Sequence, residues 1–384
     1  IMKKNNSALS DLTVLDLSRL LPGPYCSMIL ADHGARVIAV EDKRFMADGH
    51  FINMIYRNKE HISLDLKTQK GKEIFFKLAR KADIVMEGFR PGVTARLGID
   101  YETVKGVNPQ IIYCSITGYG QTGPYRDRVG HDANYLGIAG VLDLIGETDK
   151  PPSIPGVQFA DIAGGGMNGA LGILLALHAR ERTGKGQYID ISMTDAMAGL
   201  LPLGIFFQQA TGNMLTRSDN ILSHHYAFYN AFETKDKKYL TICAVEHKFW
   251  KTLCELLEVP EYAPLQYDEN RRIEIIDFMR NTFKQQSLEE WTTILGELDI
   301  AWGPIHNLKE AMQDQHLKHR EMFSEFENEH GNPAPTIGIP VKLSETPGSL
   351  RSQPPTFGKN TKEVLAELGY AEGEIKALFE ENIV

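Results

Sequence analysis

The chain has 384 residues, too many for one ordinary hydrophobic core and suited to two or three domains. Hydrophobic residues make up 42% and charged residues 24%, the balance of a soluble globular protein. A net charge of −9, with both signs mixed along the chain, excludes the basic stripe of a nucleic-acid binder, so any cationic site for an anionic ligand has to be local.

In chain order, "TVLDL" (13–17) predicts a strand, and Pro22-Gly23-Pro24 a turn into a helix that closes at Gly34. "RVIAVE" (36–41) predicts the next strand. "HISLDL" (61–66), "ADIVMEGF" (82–89) and "QIIYCSIT" (110–117) are further short apolar strands, separated by helical patterns such as "KGKEIFFKLARKA". Strands alternating with helices predict an α/β fold with a parallel, Rossmann-like sheet. The first turn has no GxGxxG fingerprint, which argues against a dinucleotide.

A helix is expected over 162–182, opened by Asp161 and crowded with Gly164, Gly165, Gly166 and Gly169. Its apolar stretch "GALGILLALHA" is too short to span a bilayer, so no membrane partner is expected. "YIDISMTDAMAGLL" (188–201) supplies another strand and helix. The expected division is a large domain at 1–205 completed by 330–384, a linker at 206–225, and a small α/β domain at 226–325. A Pro-rich return segment with terminal helices over 326–384 packs on the large domain. The four separated cysteines read as free thiols in a reducing compartment. The N-terminal stretch lacks a continuous apolar signal region, and "ENIV" is no peroxisomal address, so the expected location is the cytoplasm.

"LPGPYCSMILADHGARVIAVE", "SLDLKTQKG", "EGFRPGVTARLGIDYETV", "SITGYGQTGPY", "GHDANYLGIAGVL" and "KNTKEVLAELGY" occur in order from about residue 10 to the C-terminal region. Together they resemble the class III CoA-transferase superfamily of CaiB/BaiF type, within it most closely the α-methylacyl-CoA racemases. The resemblance implies a large Rossmann-like domain, a small α/β domain and an interlocked homodimer. It also implies that the ligand is an acyl-CoA substrate, with no separate cofactor and no metal.

Three residues carry the expected chemistry: His131 in "GHDANY", Asp161, and Glu246 after the strand "TICAV". Removing the α-proton of a thioester makes an enolate, and inverting the centre needs one acid/base group on each face. Imidazole and carboxylate suit that pair, and a helix N-terminus beside Asp161 would offer N–H groups to the enolate oxygen. The glycines at 164–166 would let a bulky thioester approach the backbone, while Gly169 and Gly172 suit helix packing.

In the racemases the resemblance makes His131 and Asp161 the proton-transfer pair, with Glu246 partnering the imidazole. In the transferases Asp161 would instead be a nucleophile forming a mixed anhydride. His131 and Glu246 follow the racemase pattern. The resemblance further places Arg57, Lys59, Ser63, Leu64, Asp65, Leu66, Arg90 and Arg96 around the nucleotide and phosphates. It sets Gly130, Asp132, Ala133, Asn134 and Tyr135 along the pantetheine. The family's arginine after the acid that ends the second strand is missing from "EDKR" (41–44), so its phosphate contact shifts to Lys43 or Arg44. That departure also motivates a third reading, a non-catalytic acyl-CoA-binding paralogue.

Overall fold

The computed structural model describes residues 7–48, 52–327 and 332–384. Six parallel strands form the main sheet: β1 (Thr13–Asp16), β2 (Arg36–Glu41), β3 (Lys59–Ser63), β4 (Ile84–Glu87), β5 (Ile112–Thr117) and β6 (Tyr188–Ser192). Their order is β3-β2-β1-β4-β5-β6, so the direction of winding reverses between β1 and β4. Helices cover both faces, which is why β1, β2, β4 and β5 read as near-continuous apolar runs. On one face Leu15, Ile38, Ile62 and Val85 pack with Ile74 and Phe75 of helix Gln69–Ala79, whose start Thr68 caps by accepting from Gly71 N. On the other, Val14, Ile84, Ile112 and Cys114 pack with Leu30 of helix Pro22–Asp32 and Ile173 of helix Asn168–Thr183.

Two compact units emerge. The first draws on the described chain up to Val141, on Pro155–Leu201, and on the chain from Glu321 onward. The second comprises Leu142–Ile154 and Pro202–Arg320. It holds an antiparallel sheet of β7 (Tyr229–Glu233), β8 (Tyr239–Cys243) and β9 (Trp302–Ile305) over a core that includes Phe228, Phe232, Trp250 and Phe283. Helix Pro202–Thr211 runs into the stretch read from sequence as a linker, because "PLGIFFQQAT" is helical throughout.

In the first unit, β10 (Phe323–Glu327) and β11 (Pro333–Ile337) pair antiparallel. The chain after them is clasped to the free edge of β3. Asn360 N donates to the His61 carbonyl at 2.9 Å, and Ser63 N donates to Thr361 Oγ1 at 3.0 Å.

The helical run Ala160–Thr183 is 24 residues, longer than the apolar stretch suggested and long enough by length and composition to cross a bilayer. Its first eight residues, Ala160–Met167, wind as a π-helix. Glycine is what seats this run in the fold. A Cβ on Gly165 would lie 2.6 Å from Pro22 Cβ, and one on Gly166 would lie 2.7 Å from Tyr25 Cδ1. Gly164 lies against Met193 and Met197. The three glycines expected to clear space for a ligand therefore clear it for neighbouring elements of the fold, and Gly169 and Gly172 do the same against Ile116 of β5 and Ile189 of β6.

Candidate active site

The reversal between β1 and β4 sends their following loops to opposite faces and opens a crevice at the strand ends. The β1 loop is built around Asp16, which is buried. It accepts from Ser18 N at 2.9 Å and from the hydroxyls of Ser18 and Ser27. The loop then places Arg19 and Leu20 at the crevice, Leu20 with a left-handed φ of 69°. The β4 loop is held by Glu87, which accepts from Phe89 N at 2.7 Å and from Ser115 Oγ. Burial pushes the Glu87 carboxyl up to about 7.

Two adjoining cavities share the lining residues Arg19, Leu20, Gly88, Phe89 and Arg90. The first, about 410 Å³, is apolar: Leu17, Val40, Leu64, Leu66 and Val93 line it, with Phe45, Arg44 and Lys67 at its side. The second, about 340 Å³, is the more polar of the two and is lined by His131, Asp161, Tyr135, Arg126 and Arg128.

The loop that brings His131 there is braced by aromatics. The Tyr135 ring occupies the space a side chain on Gly118 would need, 2.3 Å from its Cβ position, and the Tyr135 hydroxyl donates to the Gly130 carbonyl at 2.5 Å. Tyr119 packs edge-on against Tyr135 and Tyr125, and the Arg128 guanidinium lies over Tyr125.

His131 is exposed at the start of helix Asp132–Ile138, and its backbone N–H donates to Asn134 Oδ1 at 3.0 Å. Asp132 Oδ1 accepts from Ala160 N at 2.7 Å and Asp161 N at 3.0 Å. These are the first amides of the π-helix, so the donors expected to face an enolate are already capped. The Asp161 side chain does not itself cap the helix. Its half-buried carboxylate makes no hydrogen bond among the described residues. Burial pushes it up to about 6, the Asp132 charge adds to the rise, and His131 opposes it. The two groups named for proton transfer thus share one cavity, with the carboxyl tuned toward neutrality.

Of the residues expected at the CoA, the structure sends several elsewhere. Arg57 is fully buried. It makes a forked ion pair with Asp32, at 2.6 and 3.1 Å, and donates to Thr336 Oγ1 at 3.0 Å. Lys59 is buried with its Nζ 2.8 Å from the Pro24 carbonyl and 3.6 Å from Asp16. Both cations are neutralised inside the fold, where a phosphate cannot reach them. Ser63 is buried, Asp65 accepts from Lys67 N, and Leu64 and Leu66 face the apolar cavity. Lys43 bonds Asn382 and does not line either cavity, whereas Arg44 does.

Arg90 lines both cavities, and Gly130 and Tyr135 line the polar one. Asp132 and Asn134 serve as local caps, and Ala133 sits between them in the same helical turn. Arg96 and Arg126 approach the same point beside Gly92, each 3.6 Å from its Cβ position. Sequence reading missed Arg19, Phe45, Arg126 and Arg128. The signal of the three arginines was present in "LSRLL" and "PYRDRVG", next to motifs already singled out, and Phe45 directly follows "EDKR". Glu246 belongs to the second unit, exposed at the start of helix His247–Leu256, and its carboxylate makes no hydrogen bond among the described residues.

A 3-2-1-4-5-6 sheet, with an imidazole and a carboxylate lining the crevice at its switch point, defines a Rossmann-like α/β protein. The model of CoA-transferase family III matches residues 9–361, and the chain belongs to that family of enzymes. It is 33% identical over 378 residues to the alpha-methylacyl-CoA racemase of Homo sapiens, covering 98% of this chain and 97% of that one. It is 34% identical over 395 residues to the succinyl-CoA:mesaconate CoA-transferase of Haloarcula hispanica, covering 95% and 98%. A crystal structure of a CAIB/BAIF family protein from Brucella suis superposes with a TM-score of 0.82 at 31% identity, over 94% of this chain and 100% of that one.

Proposed function

We propose that the protein epimerises 2-methylacyl-CoA thioesters by 1,1-proton transfer through an enolate. The observation that carries the reading is the meeting of His131 and Asp161 in one polar cavity beside an apolar one. The adenosine occupies the apolar cavity and the thioester lies between imidazole and carboxylate. One group takes the α-proton and the other returns a proton to the opposite face. An aspartic acid titrating at about 6 exchanges its proton readily near neutral pH, so one limb of the rate profile falls near pH 6. Glu246 orients the imidazole in the working assembly, a homodimer. Met167, Leu171, Leu174 and Leu175, each at least 43% exposed on the helical run, form an apolar face that a second copy would cover.

The test is incubation of each enantiomer of several 2-methylacyl-CoA thioesters in D2O without any acceptor acid. Deuterium entering the α-position with loss of enantiomeric purity is expected; a retained α-proton in every case overturns the reading. The second reading, CoA transfer with Asp161 as nucleophile, draws on that carboxylate's lack of a hydrogen bond among the described residues and on the transferase relatives. It predicts an adduct trapped by hydroxylamine and CoA passing to a free carboxylate.

A further inference from the structure

Arg19 stands where the two cavities join, and its surroundings are unusually well defined for an arginine at a cavity edge. Its guanidinium lies 3.6 Å over the Phe45 ring, and its Nε donates to Glu41 Oε1. Glu41 is buried at the end of β2, and its other oxygen, Oε2, is 3.0 Å from His61 Nε2. The imidazole has one available tautomer. Gly358 N donates to Nδ1 at 2.9 Å, so Nε2 carries the hydrogen and donates to Glu41. His61 is fully buried and its ring packs 4.6 Å from Phe357. Burial raises the Glu41 carboxyl, but the bonds from His61 and Arg19 outweigh it, and the group is held below its ordinary value as a carboxylate. A chain of directed contacts therefore runs from the C-terminal segment through His61 and Glu41 to one guanidinium at the throat of the groove.

Resting on the acyl-CoA reading above, the position of that throat has a chemical meaning. In a CoA thioester the diphosphate separates the adenosine from the pantetheine. With adenosine in the apolar cavity and the thioester beside His131, the diphosphate passes the residues that line both cavities, and the cations among them are Arg19 and Arg90. We infer that Arg19 binds the diphosphate and that Glu41 and His61 are positioning residues that aim its guanidinium. Glu41 holds the Nε edge of the fork, and so fixes the direction in which the guanidinium presents itself to the anion.

Binding of coenzyme A and of pantetheine, which lacks the diphosphate, to the full-length chain tests this by calorimetry. R19A is expected to weaken coenzyme A binding about 10- to 100-fold, and R19K to recover part of it. E41Q and H61Q are expected to weaken it by about 3- to 10-fold, and R19A/E41Q to bind no worse than R19A alone. Pantetheine binding stays at the wild-type value in all of them. The sign for E41Q is decisive: if Glu41 only repelled the phosphates, its neutralisation would tighten coenzyme A binding and overturn the positioning role. R19A that binds coenzyme A as wild type does overturns the Arg19 assignment. A wild-type chain that binds coenzyme A and pantetheine equally overturns the acyl-CoA reading and this inference with it. Should H61Q fail to fold, R19A and E41Q decide the matter, since their sites are at the cavity surface.

Discussion

The first unit uses the same residue types in two regions for opposite ends. Beneath the crevice, Arg57, Lys59, Asp16, Asp32 and Glu87 are buried, each with a partner that fixes it. Along the crevice, Arg90, Arg126, Arg128 and His131 are exposed and line the polar cavity. The difference teaches that burial separates the two sets: Arg57 and Lys59 are enclosed with their partners, whereas a cation at the cavity wall, paired as Arg19 is or not, keeps part of its side chain accessible. Buried pairs hold the strand ends in place, and the exposed groups on the loops line the crevice.

Variants on the two sides should therefore fail differently. His131→Ala has the largest expected effect: about 10²- to 10⁴-fold loss of α-proton exchange, with thermal stability and coenzyme A affinity near wild type. A melting midpoint that falls along with the rate would erase the distinction. Arg57→Ala should instead lower folding stability by about 3–5 kcal/mol, because Asp32 is left buried without its counter-charge. Chemical denaturation measures this. A loss of less than about 0.5 kcal/mol, the size of an ordinary surface change, would place Arg57 on the functional side.

Gly165→Ala tests the border between the regions. Its Cβ would press on Pro22 and Ile116, costing about 1–3 kcal/mol despite alanine's better helix propensity. Unchanged denaturation would return this glycine to a ligand role. The last test is a pH dependence. The Glu87 carboxyl is raised from 4.5 to about 7 in the folded chain, so the fold binds more protons than the unfolded chain between those values. Its contribution is fully present below pH 4.5 and is lost as pH rises through 7. The stability difference between wild type and Glu87→Gln should follow that curve, and a difference flat across the window would refute it.

The parallel sheet was legible because its strands are apolar runs punctuated by glycine and proline, a local pattern. His131 and Asp161 were legible as a pair because each sits in a recognisable motif, and the fold brings both to the polar cavity. What the sequence hid was set by distant partners. Nothing in "YRNKEH" announces that Arg57 meets Thr336, 279 positions later, or that Lys59 reaches back to Pro24 and Asp16. Nor does "ADIAGGG" reveal that Asp132 caps its amides or that its glycines face Pro22 and Tyr25. The missed arginines of the crevice were visible in the sequence but undistinguished there, since a surface cation and a groove cation read alike.

The clasp of the C-terminal segment on β3 has a consequence for how the chain reaches this structure. Asp65 N donates to the carbonyl of Ile383, and Val364, Leu365, Ile375 and Leu378 belong to the same core as β1 and β3. On the ribosome, the whole of residues 202–320 emerges before the last pieces of the first unit exist. The second unit can thus be finished while the β3 edge of the larger sheet still stands open, and the covering of that edge awaits the segment from Asn360 onward. Assembly therefore runs against the order of synthesis: the part begun first closes last.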